Sequence, residues 1–177
     1  PPSEAHLLGT DNFGRDLFSR MILGGRISLL IGICTAVVAL TIGVLIGLVA
    51  GFFRLADSII MRAMDALMAM PSILIAIALV ALNGPSIGSV IAAITIPEVP
   101  RVVRLVRSVI LSAREEPYVE AATALGSSTG KILFHHLLPN TMAPMIVQGT
   151  YIVASAILTE ALLSFLGAGI STEIPTW

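Results

Sequence analysis

The sequence predicts an all-α fold, a polytopic transmembrane helical bundle, and three observations predict it. Hydrophobic residues make up 56% of the chain against 12% charged, with a mean hydropathy of +0.96, far from the balance of a water-soluble domain. Uncharged runs recur at the roughly 20-residue length that a helix needs to cross a hydrocarbon core about 30 Å thick. The Lys and Arg residues gather in a few segments instead of being spread over a surface. With a net charge of -1 and no basic face, no nucleic-acid partner is expected. A lone cysteine, Cys34, has no second cysteine for an intramolecular disulfide and reads as a small packing residue. The chain opens at Pro1 without a signal-peptide pattern and stops just after "EIPTW", so a piece of a longer protein is expected.

Residues 1–26 are expected to precede the first span on the outer side of the membrane. The first span follows from Ile27 to Phe53, 27 residues without a charge between Arg26 and Arg54. After Asp65 comes an uncharged stretch of 32 residues, interrupted by "NGPS" at Asn83 to Ser86, a turn signal that splits it into a hairpin. Its first arm covers Ile59 to Leu82. Its second begins near Ile87 and meets Glu98, Pro100 and Arg101 earlier than a spanning helix should. A last apolar segment runs from Thr141 to Gly167, broken only by Glu160.

Lys and Arg favour cytoplasmic loops, and the first-to-second connection carries Arg54 and Arg62 while the third-to-fourth carries Arg101, Arg104, Arg107, Arg114 and Lys131. Both connections are therefore assigned to the cytoplasm. Arg15, Arg20 and Arg26 then fall on the outer side against the rule, partly offset by Glu4, Asp11 and Asp16. Within the first span Gly43, Gly47 and Gly51 stand four residues apart, with Gly32 and Ala36 repeating the interval, so one helix face is small enough for close approach of another helix. The partner is either another helix of this chain or a second membrane subunit.

"GSSTGK" at Gly126 to Lys131 has the look of a phosphate-binding loop and fails as one. Three residues separate the glycines instead of four, Ile132 stands where a hydroxyl is needed, and helical sequence precedes it in place of a strand. The surrounding residues predict two short helices. Pro117 suits a first helical turn and Glu115 and Glu116 its dipole; Tyr118, Ala121, Ala122 and Leu125 then recur at helical spacing until Gly126 closes the first helix. Ser127 or Ser128 caps the second, which Pro139 and Asn140 are expected to break before the last span. A pair this polar, on the basic side, reads as a knob presented to a cytoplasmic partner.

"EAATALG" followed by "LP" resembles the EAA motif of ABC importer permeases: Glu120, Ala121, Ala122, Gly126, Leu138 and Pro139 match it in type and spacing. "LGTDNFGRDLFSRMILGGRISLLIG" and "TEALLSFLGAG" extend the resemblance to the C-type permease subunit of dipeptide, oligopeptide and nickel importers, over nearly the whole chain. His136 stands where that motif usually has a branched residue, and "PEVPRVVRLVR" replaces a stretch that commonly contains an aromatic. The resemblance implies a type I importer permease fold, of which this chain holds four to five spans: the second to fifth of six, with the first and last missing. It implies a transmembrane domain over 27–177 with a cytoplasmic coupling loop at 115–140, in a multi-pass protein of the bacterial inner membrane. The implied partners are a second permease subunit, ATP-binding cassette ATPases, a periplasmic or lipid-anchored substrate-binding protein and the bilayer. Transport of dipeptides or oligopeptides is the implied activity, with nickel or another small solute as the alternative. ATP hydrolysis is left to the ATPases.

From a different class, an ion-driven secondary carrier would need no docking helix, and no inverted repeat is visible. Neither an activated nucleophile nor paired metal ligands stand at workable spacing, so no enzyme activity and no cofactor are expected. His135 and His136 are adjacent and point apart on a helix, and Met61, Met64 and Met68 read as apolar packing. Glu98 lies about 16 Å along its helix at about 1.5 Å per residue. It either lines a translocation path, meeting a substrate amino group or a cation, or pairs locally with Arg101. For Glu160 the same choice stands between substrate contact and a packing hydrogen bond.

Overall fold

The first helix, α1 (Leu17–Phe52), starts ten residues before the apolar run that predicts it. Asp16 caps it, its carboxylate accepting from the Ser19 amide at 2.9 Å and the Ser19 hydroxyl at 2.6 Å. Charge ends a membrane span but not a helix, so α1 continues outward through Arg26 and Arg20. At about 1.5 Å per residue it is about 54 Å long, more than the roughly 30 Å of hydrocarbon, and its basic first turns extend beyond the core. The structure, a computed structural model, describes residues 2, 6–10, 14–170 and 176. Glu4, Asp11 and all of "EIPTW" except Thr176 lie outside the described residues.

Among the described residues there is no strand, only the isolated bridge between Thr10 and Asp16. After a kink at Phe53 come α2 (Arg54–Met68) and α3 (Ser72–Asn83), then α4 (Ile87–Ala113), α5 (Pro117–Ala124), the short α6 (Thr129–Lys131), a π-turn at Ile132–Leu137 and α7 (Leu138–Phe165). The arm expected to be one span from Ile59 to Leu82 is instead two helices meeting at 86°, because Pro71, at the start of α3, has no amide to continue α2. The expected break at Pro139 also does not occur. Pro139 sits in the first turn of α7, where a missing N–H leaves no hydrogen bond unmade, and helix runs on from Thr129 to Phe165.

Two helices are long and apolar enough to cross a membrane, Leu17–Phe52 and Thr129–Phe165, or three if the bent pair is one span. The helix α4 is long enough but carries Glu98 near its middle and Arg101, Arg104 and Arg107 in its second half. It stays helical through Pro97 and Pro100, so the carbonyls of Ala93 and Ile96 lose their usual i+4 donors.

The glycine face of α1 packs within the chain. Running parallel to α4, it sets Gly43, Gly47 and Gly51 against Val102, Val106 and Ile110. A Cβ built on Gly47 would lie 2.6 Å from the Val106 Cβ, and one on Gly43 2.5 Å from the Val102 Cβ. Gly32 approaches the Val153 carbonyl of α7 in the same way, at 3.0 Å. The buried apolar residues form two clusters. One, with Ile31, Ala76, Val80, Val90, Ala93, Ala156 and Leu163, lies toward the start of α1 and α4. The other, with Leu48, Val102, Val106, Ile110, Val119, Ile132 and Leu137, lies toward their ends.

The kinked-off α2 buries only Met64. Two ion pairs tie it to α4: Asp57 holds Arg107 in a two-pronged contact, Nη2 to Oδ2 at 2.6 Å, and Asp65 holds Arg104 at 2.7 Å. Arg104 and Arg107 are thereby held beside α2, and Arg114 lies at the end of α1 through its bond to the Gly51 carbonyl.

Adding a methyl at Gly47 must displace Val106, and overpacking of this kind costs about 1–3 kcal/mol. Gly47→Ala should lower the melting temperature of the purified full-length protein in detergent. Gly88→Ala, a change on α4 with no atom closer than 4.0 Å to the new carbon, should not. Equal melting temperatures for the two variants would show that the α1–α4 contact is loose enough to admit a methyl group.

Candidate functional site

The segment carrying Glu120 is built as a short rigid shelf. At its entry Arg114 donates from Nη1 to the Gly51 carbonyl at 3.2 Å, which fastens the end of α4 to the end of α1. Pro117 opens α5 with its ring already at a helical φ, and Glu116 precedes it in extended backbone. At its exit the Gly126 amide donates to the Thr123 carbonyl and the Ser127 amide to the Ala122 carbonyl, both at 3.0 Å. This paired Schellman closure needs a left-handed residue, and Gly126 supplies it with φ +74°. No atom crowds the place of its missing side chain, so the glycine is required by conformation, not by space. Ser128 then caps the next helix through the Lys131 amide at 3.4 Å.

Of the motif residues, Ala122 faces inward with Val119, both buried; Val119 joins Ile132, Leu137, Ala113 and Ile110 in the second core cluster. Glu120 and Ala121 face outward with Tyr118, and Leu125 is 87% exposed. The predicted apolar face of Tyr118, Ala121, Ala122 and Leu125 is thus divided, with Ala122 inward and the others outward. Glu120 makes no side-chain hydrogen bond or ion pair among the described residues. Leu138 packs partly against the core and Pro139 is exposed. A bond that the sequence does not signal ties α5 to α7: Asn140 Nδ2 donates to the Tyr118 hydroxyl at 3.0 Å and to the His136 carbonyl at 2.7 Å.

The buried carboxylates lie elsewhere. Glu98 is 5% exposed; its Oε1 accepts from Arg101 Nη1 at 2.6 Å, and its Oε2 is buried with no hydrogen-bond partner among the described residues. The structure thus contains the local pair with Arg101, on an α4 that starts at Ile87 as expected. Between α3, α4 and α7 lies a cavity of about 120 Å³ lined by Glu98, Arg101 and the hydroxyl-bearing residues Ser72, Tyr151, Ser155 and Thr159, among others. Those hydroxyls escape a sequence reading because they lie on apolar helices and only the antiparallel packing of α4 and α7 brings them to Glu98. Glu160 is fully buried, does not line the cavity, and accepts from the Ser164 hydroxyl at 2.8 Å, which is the packing alternative. His135 and His136 stack edge to face at 5.4 Å, and no cluster of metal-binding side chains occurs among the described residues.

Residues 39–177 match the family described as the binding-protein-dependent transport system inner membrane component. The chain is 54% identical over 176 residues to a probable peptide ABC transporter permease of Sinorhizobium fredii, covering 99% of this chain and 60% of the relative. It is 48% identical over 177 residues to a dipeptide transport system permease of Alkalihalophilus pseudofirmus, covering 99% and 58%. A glutathione transport system permease of Pectobacterium atrosepticum is 43% identical over 177 residues, covering 99% and 59%. The chain thus spans about three fifths of the length of the curated relatives it matches.

A left-handed conformation costs a β-carbon about 1–2 kcal/mol. Gly126→Val should therefore speed amide hydrogen exchange across residues 117–127 of the full-length protein by roughly tenfold. Gly126→Asn, whose side chain tolerates that conformation, should change it little. Exchange left unaltered by valine would show that the closure does not need the left-handed residue.

Proposed function

We propose, from the premise that this chain belongs to the family of binding-protein-dependent transport system inner membrane components, that it is the membrane-embedded part of a permease subunit in an ATP-driven importer of short peptides. The observation that carries the reading is the shelf at α5. It rests on the core through Val119 and Ala122 and leaves Glu120, Ala121, Tyr118 and Leu125 exposed.

In this reading residues 115–140 are the coupling loop, with α5 as the coupling helix on which an ATP-binding cassette ATPase docks. Glu120 supplies a polar contact to the ATPase, Ala121 a close-fitting surface, and Gly126 the bend. Ala122 seats the shelf inward, Leu138 packs against the core beneath it, and Pro139 opens the helix that follows. Closure of two ATPases on ATP pushes the shelf, and contacts that switch between discrete packings pass the motion into the spans. The four spans are α1, the bent pair α2 and α3, α4, and the continuous helix ending in α7. Residues 1–26 lie on the outer side, the first turns of α1 among them, and the transmembrane domain follows over 27–177. A second permease subunit completes the pathway, a periplasmic or lipid-anchored binding protein delivers the peptide, and the assembly sits in the bacterial inner membrane. Glu98 stands on the path; Glu160 takes the packing role.

The docking is tested in membranes holding the full-length permease and its ATPase, with Cys34→Ser to remove the native thiol. Leu125→Cys should crosslink to the ATPase and should resist membrane-impermeant thiol reagents added to intact cells. Labelling from outside would place α5 on the wrong side of the membrane and end the reading.

A further inference from the structure

The outward side of α2 carries chemistry that nothing above has used. Residues four apart share a face of a helix, so α2 divides into rows. One row holds Asp57 and Asp65, whose carboxylates are taken by Arg107 and Arg104 of α4. Two neighbouring rows point away from the chain, Arg54, Ser58 and Arg62 in one and Leu55, Ile59 and Ala63 in the other, all of them exposed. Leu55 is 88% exposed and Ile59 73%. Arg54 and Arg62 make no side-chain hydrogen bond or ion pair among the described residues. With both carboxylates of α2 paired to α4, the charge it shows outward is that of two guanidinium groups beside an apolar strip.

The direction of α2 bears on what covers that side. It meets α3 at 86°. Its two carboxylates, about 12 Å apart along α2, reach arginines only about 4.5 Å apart along α4, so it crosses α4 steeply as well. A helix that crosses its apolar, membrane-embedded neighbours at such angles runs along the bilayer surface. The lengths agree. The 12 residues of α3 reach about 18 Å, too little for a hydrocarbon core about 30 Å thick, and a helix about 10 Å across laid at its foot supplies most of the difference. Amphipathic helices in that position sink an apolar face into the boundary between headgroups and acyl chains and keep their basic residues at the polar surface. A protein covering the same side would have to desolvate two guanidinium groups and bring its own acids to meet them. Lipid phosphates meet them while still hydrated.

We propose that α2 is a membrane-surface helix, seated flat in one leaflet with Leu55 and Ile59 among the acyl chains and Arg54 and Arg62 on the phosphates of anionic lipids. The inference needs the chain to be a membrane component and does not depend on what the protein carries. Asp57 and Asp65 then tie a helix gripped by lipid to α4, the helix that packs on the glycine face of α1.

The test uses the assembled full-length transporter stripped of native cysteines, Cys34→Ser included, in vesicles of phosphatidylcholine and phosphatidylglycerol. Nitroxides are attached to Leu55→Cys, Ile59→Cys and Ser58→Cys. Electron paramagnetic resonance then compares their collisions with oxygen, which partitions into lipid, and with a water-soluble nickel chelate. Labels on Leu55→Cys and Ile59→Cys should favour oxygen, and the label on Ser58→Cys should meet nickel more often than either. Labels that neither reagent reaches would mean that a protein surface covers α2, and nickel-favoured labels on Leu55→Cys and Ile59→Cys that water does; either result overturns the proposal. The headgroup contact is read by quenching a bimane on Ser58→Cys with brominated lipids. Brominated phosphatidylglycerol should be preferred over brominated phosphatidylcholine by at least about fivefold, and Arg54→Gln with Arg62→Gln should remove the preference. Equal quenching by the two lipids before the arginines are changed, or a preference that survives their replacement, would overturn it as well.

Discussion

The rest of the structure depends on the contact between the glycine face of α1 and the Val102, Val106 and Ile110 ridge of α4. In a bilayer, lipid is as apolar as leucine, so burying apolar surface gives helices little reason to associate; close packing must supply it. Three glycines on one face let the α4 side chains reach the α1 backbone at successive turns. The parallel alignment this sets up brings Gly51 level with Arg114, whose guanidinium bonds its carbonyl, and so fixes where α5 departs. It also fixes the depth of Glu98, since α4 is held against α1 along the half that follows it.

Charge is then distributed by what each environment allows. The guanidinium groups of Arg104 and Arg107 pair with carboxylates of α2, a helix that leaves the bundle axis and stays polar enough to supply them. The pairing gives α2 a fixed seat without a buried face of its own, since only Met64 is buried. Glu98 is handled differently. It has one local partner, Arg101, on one oxygen, and its second oxygen is buried without a hydrogen-bond partner among the described residues. An unsatisfied buried acceptor of this kind costs about 1–3 kcal/mol. Glu160 shares the orphaned second oxygen, with Ser164 one turn away as its donor.

The class of fold was legible because it rests on composition and run length. The glycine spacing showed that a helix must come close, and Gly126, Pro117 and Ser128 marked the limits of α5 and the cap of α6 through local backbone chemistry alone. What sequence reasoning missed depends on direction in space. Proline was read as a breaker at Pro139, where it opens a helix, and passed over at Pro71, where it turns one through 86°. Both follow from the same missing amide, and only the position relative to the helix end decides the outcome. The charge rule placed Arg54 and Arg62 at one end but could not pair Asp57 with Arg107, because partners 50 residues apart leave no local pattern. The cavity hydroxyls were invisible for the same reason.

These contacts also limit how the molecule can move. Val102, Val106 and Ile110 sit in glycine notches one helical turn apart, and a shift of α4 along α1 by less than a turn, about 5.4 Å, would drive each side chain into backbone. Packed interfaces of this kind switch between discrete arrangements or move as one body. So α1 and α4 behave as a single strut, with the shelf fastened to its inner end through Arg114. Motion delivered to α5 must therefore appear where packing is less complete. The cavity marks such a place, because α3 and α7 meet α4 there around open volume, and Pro97 and Pro100 remove two rungs of the helix ladder beside it. The bond from Asn140 to Tyr118 makes α7 follow the shelf directly, and α7 carries Tyr151, Ser155 and Thr159 on its cavity wall. Displacing the shelf would thus move the α7 wall of that cavity relative to its α4 wall.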